Sequence, residues 1–231
     1  MSLWNPPPDD SIARLADMRV TYDAGTLDEA TVESTPLAQF HRWFADAVAA
    51  GLPEPNAMVL ATADASAQPS ARTVLLKEAD TRGFVFFTNY GSRKGRELTS
   101  NPQASCVFPW FAMHRQVVVV GSVEKVSHEE IAEYFRSRPH GSRLGAWASR
   151  QSTVIDGRAS LEAEYERLQA TYPEGSEIPV PDFWGGWLIR PVSVEFWQGR
   201  PSRLHDRLRF RAESSVALDD KHGWTLERLS P

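Results

Sequence analysis

Residues 104–111 read Ala-Ser-Cys-Val-Phe-Pro-Trp-Phe, and residues 116–125 read Gln-Val-Val-Val-Val-Gly-Ser-Val-Glu-Lys. Both runs are short, rich in Val or Phe, and bounded by turn-forming residues, which is how strands read in sequence. Three earlier runs share that character: Met58 to Ala63, Ser70 to Lys77 and Gly83 to Thr88. Between them, Ala63-Asp64-Ala65-Ser66 and Ala79-Asp80-Thr81-Arg82-Gly83 look like hairpin connections. Strand follows strand without regular strand–helix–strand alternation. The expected fold is therefore mainly β with appended helices, arranged as an antiparallel barrel.

Residues 1–22 are polar and proline-rich, which predicts a mobile N-terminal arm with at most a short helix around Ile12 to Met18. Residues 23–231 show no repeat or linker and are expected to form one domain. Thr35-Pro36 starts a helix that carries Leu37, Phe40, Phe44 and Val48 at helical spacing and stops at Gly51 and Pro53. A small helix over Ser92 to Ser100 ends at Asn101-Pro102. Ser127-His128-Glu129-Glu130 is a capping-box pattern for a helix reaching about Ser137, and Pro139 stops it at Arg138. Ser142 is the expected cap of a helix over Arg143 to Ser149, and Asp156 to Tyr172 reads as a longer charged helix. The last expected strands are Trp184 to Arg190, Val192 to Trp197, residues 203–207, Ser215 to Leu218 and Trp224 to Arg228.

Composition narrows the class. Among 231 residues, 42% are hydrophobic and 24% charged, ordinary for a soluble globular protein. A net charge of −5 gives no reason to expect nucleic acid as a partner, so any anion site must be local. The single cysteine, Cys106, excludes an intrachain disulfide or a cysteine-based zinc cluster and reads as a small core residue. No apolar run reaches the ~18 residues of a membrane span, and the N-terminus lacks a signal-peptide order. The expected location is cytoplasmic.

Four stretches can carry chemistry. Thr88-Asn89-Tyr90-Gly91-Ser92-Arg93-Lys94-Gly95-Arg96 runs from a strand through a turn into a helix start. Cations are disfavoured at a helix N-terminus, so Arg93, Lys94 and Arg96 there are either three solvated side chains or, as the turn and N-cap favour, a phosphate seat. Arg72-Thr73-Val74-Leu75-Leu76-Lys77 holds two cations five residues apart, which face opposite sides of a regular strand. Either that strand is bulged or the two serve different ligands. Tyr134 and Arg138 share a helix face and Ser142 follows after one turn, which fits a second phosphate cradle or an ordinary surface pair with a cap. Finally, Arg203-Leu204-His205-Asp206-Arg207 places a cationic side chain at every second position. As a strand it presents one positive row, either a solvated edge or a surface for an anionic or planar ligand. No metal-binding histidine spacing, nucleophile elbow or P-loop is present in the sequence.

Read together, RTVLLK (72–77), FFTNYGSRK (86–94), FPW (108–110), RQV (115–117), YFRSRPHGSRLGAWASRQS (134–152), FWGGW (183–187), EFWQG (195–199), RLHDR (203–207) and the terminal ERLSP resemble the pyridoxamine 5′-phosphate oxidase family, from about residue 37 onward. That resemblance implies an antiparallel split β-barrel of the FMN-binding type, working as a homodimer with FMN at the subunit interface. It places FMN contacts at Arg72, Thr73, Val74, Leu75, Leu76, Lys77, Phe87, Thr88, Arg93, Lys94, Gln116, Gln151, Ser152, Trp197 and Arg207. Substrate contacts fall on Arg19, Tyr22, Lys77, Tyr134, Arg138, Ser142, Arg203 and His205, with Arg203 and His205 as the catalytic pair. Phe87 departs from the pattern, standing where tyrosine is frequent, and the arm around Arg19 matches only loosely.

The implied reaction passes a hydride from C4′ of pyridoxamine or pyridoxine 5′-phosphate to the flavin, which dioxygen reoxidises with release of hydrogen peroxide. Pyridoxal 5′-phosphate results, with ammonia released from the amine substrate. Two phosphorylated ligands lying ring on ring need two phosphate cradles, and the stretches above offer two. Neither a nucleic acid nor a membrane partner is implied. Two rival readings remain: a reductase on the same fold using a flavin or deazaflavin, and a non-catalytic protein that binds flavin or pyridoxal phosphate.

Overall fold

The computed structural model describes residues 20–22 and 25–231, so the expected helix at Ile12 to Met18 and Arg19 lie outside the described residues. Among the described residues nine strands form: β1 (Ala57–Ala63), β2 (Pro69–Leu75), β3 (Glu78–Asp80), β4 (Gly83–Asn89), β5 (Gln103–Trp110), β6 (Arg115–Lys125), β7 (Trp184–Gln198), β8 (Asp206–Arg211) and β9 (Thr225–Arg228). Every pairing is antiparallel, in the order β2-β1-β5-β6-β7-β4-β3, with β8 on β7 and β9 on β8. The result is an antiparallel split barrel with helices appended. Among the described residues, no helix is long and apolar enough to cross a membrane.

Alternation explains most of the sheet. Along β5, Ala104, Cys106, Phe108 and Trp110 are buried, while the residues between them face outward. β4 is buried on both faces, which is why residues 83–89 read as one apolar run. Phe84 and Phe86 enter the main core with Phe108 and Phe196. Val85 joins a second cluster with Ile131, Phe135, Leu144, Trp184 and Leu188. That second cluster fastens α3 (His128–Ser137), α4 (His140–Ala148) and α5 (Arg158–Thr171) to the barrel.

α1 (Pro36–Ala49) starts as expected, the Thr35 hydroxyl accepting from the Ala38 N–H at 3.3 Å. Its buried stripe is Pro36, Gln39, Phe40, Trp43 and Ala47, whereas Val48 is 54% exposed. The core side of the helix therefore passes through the position before Val48. α2 (Arg93–Ser100) is capped by Ser92, and α3 closes both halves of its capping box between Ser127 and Glu130. The first residue of α4 is His140, with Pro139 at the cap. Ser142 is not the cap: it lies inside the first turn, its N–H donating to the Pro139 carbonyl at 2.9 Å.

Three other expectations change. Pro191 does not divide β7, which runs unbroken for 15 residues. On one edge, β7 changes partner from β4 (up to Ile189) to β8 (from Ser193), so the missing proline N–H falls where no ladder bond is needed. On the other edge, Pro191 faces Gly121 at a register shift in β6. Second, Ser215 to Leu218 forms no strand; Leu218 is held by single bonds, its N–H to Thr81 and its carbonyl to the Leu37 N–H. Third, residues 203–207 do not form a cationic strand row. β8 begins only at Asp206, and Pro201–Arg203 is a 3₁₀ turn with Ser202 and Arg203 at φ of 58° and 62°. Only Arg207 of the three cationic residues lies on the strand.

The bulge gives a stability prediction. A Cβ on Gly121 would sit 2.0 Å from the Arg190 carbonyl oxygen, so alanine there must push two strands apart. Gly121→Ala is expected to cost about 3 kcal/mol or more, read as a fall in Tm.

Candidate functional site

A cleft of about 640 Å³ opens beside β2, β4, α3 and α4, lined among others by Thr73, Val74, Leu75, Lys77, Phe87, Thr88, Lys94, Tyr134, Arg138, Ser142, Gln151 and Trp184. Strand β4 delivers Phe87 and Thr88, and α2 follows at once with Lys94. The α3–α4 junction delivers Tyr134, Arg138 and Ser142, because Pro139 turns the chain between two helices.

Two cationic seats stand in this cleft. Lys94 is only 6% exposed, and its ammonium donates to Thr88 Oγ1 at 3.1 Å and to Gln151 Oε1 at 3.2 Å, both neutral oxygens. Burial, assisted by the nearby charge of Arg72, pushes its pKa down to about 8, while Glu97 works in the opposite sense. A buried ammonium in contact with neutral acceptors alone is a seat for an anion. The other seat is Arg138. Its guanidinium lies 4.8 Å from the Trp184 ring centre, Nη1 is buried without a protein partner, and burial lowers its pKa. Lys77 lies on the same wall, its Nζ 5.9 Å from the centre of the Tyr134 ring.

An aromatic wall lines the same cleft. The Phe87 ring lies 4.1 Å from Tyr134 and 5.4 Å from Trp184, with interplanar angles of 25° and 15°. Phe87 contributes a ring without a hydroxyl. Gly186, paired with Phe87 across β4 and β7, makes the approach possible: a Cβ there would come within 2.9 Å of the Phe87 ring and 2.6 Å of Val126.

Other predicted residues are placed differently. Arg72 turns away from the cleft, donating to Leu60 O, Thr62 Oγ1, Ser70 Oγ and Glu97 Oε2. Lys77 lies beyond the end of β2, so the parity puzzle is resolved by separate destinations. Arg93 pairs with Glu97 at 2.8 Å, and Arg96 donates to the Gly91 carbonyl, leaving Lys94 as the α2 cation that lines the cleft. Leu76 is buried in the main core, and its backbone N–H and C=O both bond Asn56. Ser152, at φ 70°, lines a neighbouring hollow with Arg150 and Thr153 instead.

A second group gathers elsewhere. Gln116 and Trp197 line a hollow of about 240 Å³ with Tyr22, His114 and Arg115. The His205 ring lies 4.6 Å from Trp197 and 5.7 Å from Tyr22. His205 Nδ1 accepts the Arg200 N–H at 3.1 Å, so the neutral ring carries its proton on Nε2 and offers a donor. Arg207 is held by Glu195 at 2.7 and 3.1 Å and by the Ser230 carbonyl, while Arg203 is exposed. Phe87 faces Gly186 and Gln116 faces Trp197 on the same strand β7, eleven residues further along. That is ~36 Å of strand at ~3.3 Å per residue, and the two hollows share no lining residue. Within one chain the predicted residues fall into two separate groups. Sequence reasoning overlooked Glu97, whose signal was its place four residues after Arg93, and Trp184, hidden in an aromatic motif without a charge.

A split barrel whose cleft carries two cation seats and an aromatic wall offers the chemistry that a phosphorylated planar molecule would need. Residues 44–172 match the sequence profile described as pyridoxamine 5′-phosphate oxidase, and residues 184–231 match the pyridoxine 5′-phosphate oxidase C-terminal dimerisation region. The chain belongs to the pyridoxamine 5′-phosphate oxidase family, a family of oxidoreductases. It is 55% identical over 217 residues to a pyridoxine/pyridoxamine 5′-phosphate oxidase of Burkholderia multivorans, covering 94% of this chain and 99% of the relative. A relative of the same name from Streptomyces avermitilis is 54% identical over 226 residues, covering 96% and 98%. Among solved structures, PhzG of Burkholderia lata, in complex with tetrahydrophenazine-1-carboxylic acid, matches with a TM-score of 0.79 and 31% identity, covering 89% of this chain and 98% of that one.

Proposed function

We propose that the chain binds FMN and oxidises pyridoxamine or pyridoxine 5′-phosphate with dioxygen to pyridoxal 5′-phosphate, releasing hydrogen peroxide and, from the amine, ammonia. The observation that carries this reading is the pair of cation seats in one cleft, Lys94 held by Thr88 and Gln151, and Arg138 with Lys77 against the Phe87–Tyr134–Trp184 wall. Lys94, with Thr88 and Gln151, would hold the cofactor phosphate. Lys77, Tyr134, Arg138 and Ser142 would hold the substrate phosphate. Bound FMN supplies the two-electron acceptor that the side chains lack. The protein's own work is orientation: a near-parallel aromatic wall and fixed phosphate anchors hold the rings in register.

The second half-site would come from a second copy of the chain. Thr73, Val59, Val107, Val118, Glu195 and Arg209 form one lateral row across β2-β1-β5-β6-β7-β8. On that face the central strands present Ala57, Val59, Ala61, Ser105, Val107, Pro109, Val118 and Val120, with no charge. Such a face suits a self-complementary two-fold interface. Rotation about its centre exchanges the β2 edge, next to the cleft, with the β7–β8 edge carrying Trp197 and Arg207. The cleft of one copy would then meet Gln116, Trp197, His205 and Arg203 of the other, with the His205 Nε2–H as a donor over the substrate. Val120→Lys, at the exposed centre of that face, is expected to give monomers that lose flavin, checked by light scattering and the visible spectrum.

The reading is tested by purifying the protein, recording bound-flavin absorbance, and following aldehyde and peroxide after adding pyridoxamine 5′-phosphate in air. A protein that FMN cannot reconstitute, or a flavoprotein without turnover, would falsify it. The likeness to PhzG makes a carboxylated tricyclic substrate the second arm of the assay.

A further inference from the structure

Behind Lys94 lies a carboxylate that the proposed chemistry does not use. Glu97, on α2, is buried, with its side chain only 5% exposed. Its Oε2 accepts from Thr62 Oγ1 at 2.5 Å, Ser70 Oγ at 2.6 Å and Arg72 Nη2 at 3.2 Å, and its Oε1 accepts from Arg93 Nε at 2.8 Å. Both hydroxyls also accept from Arg72. The network is therefore closed and runs in one direction, from guanidinium through hydroxyl to carboxylate, tying β1, β2 and α2 together.

We propose that Glu97 is a positioning residue for the phosphate end of the cleft, holding Arg72 and Arg93 in fixed orientations behind Lys94 and keeping Lys94 protonated. The inference rests on the FMN reading above. Its physical content is charge balance. Arg72, Arg93 and protonated Lys94 against Glu97 leave two net positive charges, the complement of a phosphate monoester dianion. Without Glu97, three cations would face one another, and the least solvated, Lys94, would surrender its proton first. The charged groups around Lys94 are Arg72 from β2 and Arg93 and Glu97 from α2. β4 contributes only Thr88 and Asn89, and the turn after α4 contributes Gln151 with exposed Arg150 beside it.

Glu97→Gln is the sharpest test, because simple electrostatics and positioning predict opposite signs. Removing a negative charge near a bound dianion should tighten binding. Under the positioning role, the amide cannot accept from Arg93 while its oxygen serves Thr62, Ser70 and Arg72, so Arg93 is released and Lys94 loses its support. Apoprotein of the full chain would be titrated with FMN and with riboflavin, which lacks the phosphate, from pH 6 to 9 by flavin fluorescence. The expected result is FMN binding about tenfold weaker at pH 7, riboflavin binding unchanged, and the alkaline loss of FMN moved to lower pH. Ser70→Ala, which keeps the carboxylate, should weaken FMN less and leave the pH limb in place; it serves as the second variant if Glu97→Gln does not fold. Unchanged or tighter FMN binding in Glu97→Gln, equal losses for FMN and riboflavin, or full FMN affinity with an unmoved pH limb in Ser70→Ala alongside an unfolded Glu97→Gln would each overturn the inference alone. A wild-type chain that binds riboflavin as tightly as FMN would overturn the functional reading as well.

Discussion

Methionine in place of Lys94 should weaken FMN binding by about a hundredfold while making the ligand-free protein more stable at neutral pH. The first effect follows from losing a charge-assisted bond in a buried site: ~1.5–3 kcal/mol, at ~1.4 kcal/mol per tenfold. The second follows from proton linkage. The folded chain holds Lys94 at about 8, below its ordinary 10.5, because burial penalises the ammonium. Between those values the unfolded chain binds more protons than the folded one, so the stability of the wild type rises with pH. Below pH 8 the full penalty applies, on the order of 3 kcal/mol, and above about pH 10.5 it is gone. Methionine is free of that penalty but leaves Thr88 and Gln151 without their donor, which returns part of the gain. The variant should thus exceed the wild type by about 1–2 kcal/mol at pH 7, and the advantage should shrink by pH 10. Thermal melts of apoprotein at both pH values, beside a flavin titration, decide it. A variant less stable at pH 7 would show that Lys94 is structural.

The second large effect belongs to Arg138. Arg138→Met should lower kcat/KM for pyridoxamine 5′-phosphate by about two to three orders of magnitude, a loss of ~3–4 kcal/mol, with FMN affinity unchanged. The guanidinium is held against Trp184 and Phe135 with Nη1 unpaired, so its position is already set by packing. A phosphate gains a fixed, partly desolvated partner there. Arg138→Lys should recover little, because an ammonium cannot reproduce the planar fork or its stacking on Trp184. Unphosphorylated pyridoxamine supplies the control: its turnover should barely change. A comparable loss for both substrates would place Arg138 in the fold rather than in recognition.

Some of the site was legible because local chemistry alone determines it. The capping box of Ser127 and Glu130, the Thr35 cap and the strand read at 104–111 each depend on residues a few positions apart, and all three appear where they were expected, the strand as β5. Other readings failed where a local signal had several outcomes. Arg93, Lys94 and Arg96 look equivalent in sequence. Helix geometry separates them, turning Arg93 to Glu97 and Arg96 back to Gly91 and burying Lys94 alone in the cleft. Arg203, His205 and Arg207 alternate like strand residues, but Pro201 and two left-handed residues delay the strand to Asp206.

The sequence by itself determined the antiparallel β class, the cap- and proline-set boundaries of α1, α2 and α3, the family, and the residue types available for two phosphates. Periodicity, capping and turn chemistry act over a few residues and leave a direct trace in the chain. Only the tertiary structure decided that Arg72 turns inward to Glu97, that Lys94 and Arg138 line one cleft, and that Gln116 pairs with Trp197 toward the far end of β7. Those outcomes depend on burial and on which strands become neighbours. Both are set by long-range pairing, such as β6 with β7 and β1 with β5, and no local spacing encodes it.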